Sequence, residues 1–201
     1  MIEQLRTLPE IPVLRDRCRA MAMLDAIFSP EWQYRYFSFN SAWGEGEEMA
    51  SMRDGQGNDW FLVFSKVGAY GRAFDHEAPN APHLVDAVPS VFADYVAEPA
   101  FAGPDGSLLV TVCFWRQPGD TEWGVAAAES GAENPFAVLL EGTPQAYRAW
   151  AEDYYETELD PAAVDHIYAL RPLTQAVVSS LNPTLDLAEL DNDLAEINYP
   201  R

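Results

Sequence analysis

Cysteine is almost missing from this chain: Cys18 and Cys113 are the only two in 201 residues. They stand far apart, in neither a CxxC nor a Cys/His spacing, so the sequence offers no thiolate metal site. Two buried thiols in a reducing compartment is the plain reading, and one bridge between them stays open. Histidine is nearly as scarce. His76, His83 and His166 are scattered, so neither a metal nor a cofactor is expected. Cations are short as well, 12 Lys and Arg against 32 Asp and Glu, for a formal net charge of −20. Such a field repels phosphate backbones and anionic lipid, which argues against nucleic-acid and membrane partners, and it steers in a basic protein. Acidity that serves only solubility accounts for the same numbers.

Long hydrophobic runs are absent too. The longest apolar stretch, residues 108–115 (LLVTVCFW), is far too short to span a bilayer, and the opening MIEQLRTLPEIP lacks the apolar segment of a secretory signal. A cytoplasmic location is the expectation that follows. No G-x-S-x-G elbow occurs, and Ser29, Ser38, Ser41 and Ser65 lie in no nucleophile context, so no catalytic residue is assigned.

Apolar and aromatic residues are plentiful: 48% apolar, with 6 Trp, 9 Tyr and 10 Phe. A chain of this length and composition predicts one packed globule, a single α+β domain over residues 1–201. Its centre is an antiparallel meander over residues 32–77. The first strand is expected over 32–39, rich in aromatic residues and only partly alternating, so both its faces are expected to be covered. A second run follows over 47–53. Asp54, Gly55, Gly57, Asn58 and Asp59 supply a hairpin connection. Residues 60–65 form the most apolar strand, and a fourth run ends at Phe74-Asp75-His76-Glu77. Residues 108–115, apolar on both faces, belong inside the sheet, and 122–125 pair back as a short strand. The sheet is predicted to have five or six strands.

Helices flank it. Leu14, Cys18, Met21, Leu24 and Phe28 recur every three or four residues, which predicts an amphipathic helix over 11–28, stopped by Ser29-Pro30. Its other face carries Arg15, Arg17 and Arg19, read as neutralising the protein's own acids in preference to forming a small anion site. In the C-terminal third, Asn134-Pro135, Thr143-Pro144 and Asp160-Pro161 are cap-plus-proline starts, Gly142 is a stop, and Leu173, Val177 and Leu181 stripe a further helix. Residues 184–201, with Leu187, Leu190, Leu194 and Ile197 among acids, are either a docked helix or an acidic amphipathic tail. Tyr147, Trp150 and Tyr154 form an aromatic stripe, read as core packing; only if exposed would it be a ligand-stacking platform.

Two groups of residues carry functional expectations. Asp75, His76 and Glu77, with Arg53 or Arg72, are weighed as a small-ligand site at the sheet mouth. If the trio ends a strand, both carboxylates share a face and could hold a cation or transfer protons. Charges meeting solvent at a strand end explain the same residues. Trp43, Glu45, Glu47 and Glu48 are weighed as a protein contact, an aromatic anchor on a flexible acidic loop. A core role for Trp43 is the alternative. Asp54 to Asp59 has oxygen ligands at alternate positions as in a calcium loop, but Asp59 stands where that loop needs glycine and Ser65 where it needs glutamate.

The blocks YRYFSFNS (34–41), EMASMRDG (48–55) and FDHE (74–77) resemble those of an uncharacterised bacterial family. Val88-Pro89 with Phe92, Glu98 to Phe101, and Leu173 to Pro183 continue the resemblance over most of the chain. In type (acidic, cytosolic, α+β, without a catalytic signature) the chain is also similar to immunity proteins that neutralise polymorphic toxins, such as the SUKH group. That likeness implies a protein-binding role against a basic toxin and carries over no catalytic residue. Three readings therefore stand: an acidic protein-binding module, a small-ligand protein or enzyme around Asp75, and a soluble domain whose charge is only colloidal.

Overall fold

The computed structural model describes residues 2–128 and 134–201. A short helix α1, Ile2–Arg6, leads into α2, Ile11–Phe28, which has proline in its first turn and ends where the Ser29 N–H bonds the Asp25 carbonyl. Of the predicted stripe, Leu14, Cys18, Met21 and Leu24 are buried and Phe28 is half-buried; Ala20, Ala22, Met23, Ala26 and Ile27 are buried as well. The second half of α2 is thus enclosed all round rather than along one side.

The chain then lays down β1 (Phe37–Gly44), β2 (Glu47–Arg53), β3 (Asp59–Ser65) and β4 (Gly68–Phe74). A long excursion follows, made of 3₁₀ turns and the single-turn helix α3, Ala93–Val96, before β5 (Val112–Arg116) and β6 (Gly124–Ala127). All neighbours are antiparallel and the order is β1-β2-β3-β4-β5-β6, a six-stranded meander as the sequence predicts.

Three strand starts differ from the expectation, the last being β6, which begins at Gly124 and not at residue 122. Trp32–Tyr34 is a 3₁₀ turn, and the chain joins the sheet only at Phe37. The Arg35 side chain bonds the carbonyls of Ser29 and Pro30 and the Asp193 carboxylate, and Asp25 takes the Phe37 N–H at 2.7 Å. These bonds hold the connection against α2 instead of letting it extend. Residues 108–111 likewise lie outside the strand. Asn80 brackets them, donating to the Leu108 carbonyl and accepting from the Val110 N–H at 2.9 Å each.

The sheet is buried on both faces, which is why β3 reads as an unbroken apolar run. Trp60, Leu62 and Phe64 face the helices, and Phe61 and Val63 face the excursion over residues 75–111. The helical side is completed by α4 (Ala137–Glu141), α5 (Pro144–Tyr154), α6 (Pro161–Tyr168), α7 (Gln175–Leu181) and α8 (Asp191–Ile197). Thr143, Asp160 and Thr174 cap α5, α6 and α7 with their side-chain oxygens, and Gly142 closes α4 with a left-handed φ of 58°. Residues 184–201 are docked. Leu190, Leu194, Ile197 and Tyr199 are buried, and the Tyr199 hydroxyl donates to the Ile167 and Arg171 carbonyls at 3.2 and 2.9 Å. Cys18 and Cys113 are free buried thiols. Among the described residues no helix is long and apolar enough to cross a membrane.

Candidate functional site

Asp75, His76 and Glu77 lie in the turn after β4, not on a strand. Asp75 is buried. Its N–H is held by the Thr111 hydroxyl at 3.1 Å, and its carboxylate accepts the Glu77 N–H at 2.9 Å, an Asx turn that folds the chain back on itself. The exposed His76 directs both its N–H and its ring Nδ1 at the Asn58 side-chain oxygen, 3.0 and 2.8 Å away, so Nδ1 carries the proton. Glu77 points into solvent. The two carboxylates therefore do not share a face, because the strand stops at Phe74.

Asp75 does share a recess of about 50 Å³ with Tyr36, Met52, Asp54, Asn58 and Asn134. That holds a water or two and no metabolite. The Asp54 carboxylate is filled by its own loop, accepting from the N–H groups of Gln56, Gly57 and Asn58 and from the Asn58 amide. The connection between β2 and β3 is built this way, as the hairpin reading expects. Among the described residues no three His, Cys, Asp or Glu side chains converge as metal ligands.

Arg53 and Arg72 meet elsewhere, on the face covered by the excursion. The register pairs Arg53 with Asp59 and Phe61 with Arg72, which sets the two guanidinium groups 5.6 and 5.5 Å from the Phe61 ring. Arg53 is exposed and also lies 5.2 Å over Trp32. Arg72 is only 2% exposed and is 3.9 Å from Asp59. Burial pushes the Asp59 carboxyl up to about 6 although Arg72 and Arg53 pull it down, and burial lowers Arg72.

At the opposite end of the sheet, Glu45 and Gly46 form a two-residue turn between the paired Gly44 and Glu47, with Gly46 at φ 74°. The stretch is a tight hairpin tip rather than a flexible loop, because Gly46 supplies the left-handed residue the turn requires. Glu45 is exposed. Glu47 accepts the Tyr95 hydroxyl at 2.7 Å, and Glu48 is ion-paired with Arg19 and with Arg15 at 3.5 Å. Trp43 is half-buried and stacks on Phe101, ring centroids 6.2 Å apart. A groove of about 310 Å³ opens beside the tip, with Ile11 and Phe64 as apolar walls and Arg15, Ser41, Glu47 and Glu48 as polar ones. The aromatic stripe of α5 grades outward, from buried Tyr147 through half-buried Trp150 to Tyr154 at 45% exposure.

One group escaped the sequence reading. Asp25 is fully buried in α2, where its carboxylate accepts the Tyr147 hydroxyl at 2.6 Å and the Phe37 N–H. Burial raises it to about 6 in spite of those bonds, and burial also pushes the Tyr147 phenol up. Its signal was an acid four residues after Met21 and seven after Cys18, on the apolar stripe itself.

The charge distribution is lopsided by depth. Arg35, Arg72 and Arg116 are buried, and Arg15, Arg17, Arg19 and Arg148 are half-buried. Arg116 reaches Glu10 at 2.7 Å, and Arg17 packs over Gly142 at the C-terminal end of α4. Among the described residues the exposed cations are Arg6, Arg53, Lys66, Arg171 and Arg201, whereas exposed acids occur from Glu3 to Glu196. No protein-family model matches the chain, and no curated protein or solved structure does.

Proposed function

We propose that this chain is a non-enzymatic protein-binding module that takes a basic partner, in the manner of an immunity protein masking a toxin. The observation that carries it is the charge that faces solvent. Arg15, Arg19, Arg35 and Arg116 are tied to Glu48, Asp193 and Glu10. Among the described residues Arg6, Arg53, Lys66, Arg171 and Arg201 are the exposed cations, against a far larger set of exposed acids. The hairpin tip is the favoured contact. Exposed Glu45 projects there beside a groove with apolar walls at Ile11 and Phe64. The rim carboxylates Glu47 and Glu48 are held by Tyr95, Arg15 and Arg19, so Glu45 is the acid that offers itself to a basic side chain with an aliphatic stem. The geometry favours this over a small-ligand site built on Asp75, His76 and Glu77, because those three side chains do not converge.

The test is affinity capture with the whole chain from source-cell lysate at low and at high salt, with the bound proteins identified by mass. A stoichiometric basic protein released by salt is the expected result. Lanes empty at both salts would sink the reading. With a captured partner in hand, Glu45→Lys is expected to slow association several-fold at low salt, and an unchanged rate would move the contact away from the tip.

A further inference from the structure

Most of the interior guanidinium groups in this protein have found their acceptors. Arg35 has two carbonyls and Asp193, and Arg116 has Glu10 and the Asp120 carbonyl. Arg72 is different. Among the described residues its Nε and Nη1 are buried with no hydrogen-bond partner, and Asp59 Oδ1, its nearest anion, has none either, only the 3.9 Å approach. An arginine stays charged when buried, so its unfilled donors carry the full desolvation cost. An apolar side chain of similar volume is neutral or stabilising at a buried ionic position, so the unfilled donors do not serve the fold. They point to a ligand that fills them.

The surroundings say which kind. Arg53 and Arg72 flank Phe61 from the two neighbouring strands, Phe101 lies 5.8 Å from the Arg72 guanidinium, and Asp59 is the one acid in the strand register between them. Asp54, the next acid along, has both carboxylate oxygens engaged by the 56–58 loop. The way in is from the sheet end, where Arg53 is exposed and the Asp59 side chain is 27% exposed. We propose that Arg72 and Arg53 form a binding site for a small oxyanion, phosphate or carboxylate, which displaces Asp59 and takes the unfilled Arg72 donors. Planar guanidinium forks suit such oxyanions, and the aromatic walls exclude competing water. The site is independent of the hairpin tip and of any protein partner.

The whole chain is tested by thermal unfolding with sodium phosphate and, separately, sodium acetate, each against sodium chloride at equal ionic strength, because screening alone affects so acidic a protein. At about five times Kd, binding raises Tm by roughly 2–4 °C above the chloride control. A response to phosphate alone assigns a tetrahedral anion, and one to both assigns the carboxylate class as well. Arg72→Met is expected to keep or raise the Tm without anion and to lose the response. Asp59→Asn, which removes the internal competitor, is expected to reach the same shift at lower anion concentration. In the ¹⁵N–¹H spectrum, the side-chain Nε–H signal missing from Arg72→Met is the one phosphate should move. Should Arg72→Met not fold, Arg53→Met at the exposed rim is expected to weaken the response. No shift beyond chloride in the wild type, or an undiminished shift in Arg72→Met, overturns the proposal.

Discussion

Asp25 is where a single residue says most about this protein. It is an ionisable group on the apolar side of α2, tied to Tyr147 and to the start of β1. Its folded pKa of about 6 lies above the ordinary carboxylate value. The folded state therefore binds the proton more tightly than the unfolded chain does. Stability from this group is full at low pH and is lost as pH rises from about 4 through 6, about 2–3 kcal/mol in all. Urea unfolding across that range should show the slope, and Asp25→Asn should remove the Asp25 share of it, leaving that of Asp59, which burial also raises to about 6. Tyr147→Phe should cost about 1.5–3 kcal/mol at pH 7.5, where the phenol serves a charged acceptor, and less at pH 5. Neither group is legible as a site from sequence. The stripe at Leu14, Cys18, Met21 and Leu24 is visible, but whether an acid within it faces a partner depends on Tyr147, more than a hundred positions away.

The elements were legible where punctuation is local. Thr143-Pro144 and Asp160-Pro161 mark helix starts because the capping oxygen and the fixed proline φ act within one turn. The starts of β1 and β5 were not, because Arg35 and Asn80 decide them through contacts the local pattern does not contain. The short α1 went unread for the same reason: it is secured by packing, with Leu5 buried and the Trp123 backbone N–H donating to the Arg6 carbonyl at 3.4 Å. Nor does the sequence choose between a docked and a free C-terminal segment. The structure docks it, so Leu194→Ala should lower stability by about 2–5 kcal/mol, as for any buried leucine, while a free tail would show no change in the urea midpoint. Within the sheet, Gly71 lies opposite Phe114, and a methyl group there would sit 2.1 Å from that ring. Gly71→Ala should therefore destabilise by about 1–3 kcal/mol at unchanged m-value, through overpacking and not through backbone strain.

At the scale of the whole molecule, charge and depth combine. The net charge of −20 was plain from composition, but its arrangement was not. Arginines drawn into Glu48, Asp193, Glu10 and Asp59 leave acids facing one another across the surface. Self-repulsion of that kind destabilises the compact state and is screened within a Debye length of about 8–10 Å at ordinary ionic strength. Raising sodium chloride from low to moderate concentration at pH 7.5 should then raise Tm by a few degrees. Buried Asp25 is largely outside the reach of that screening. A slope from the buried carboxyls Asp25 and Asp59 and a slope from the surface are thus superimposed below pH 7, and salt separates them. In salt the surface part of the stability gained on acidification should shrink, while the part removed by Asp25→Asn should persist. Equal loss of both with salt would mean that the Asp25 carboxyl is in contact with solvent, and that α2 and α5 are less closely joined than the Asp25–Tyr147 bond requires.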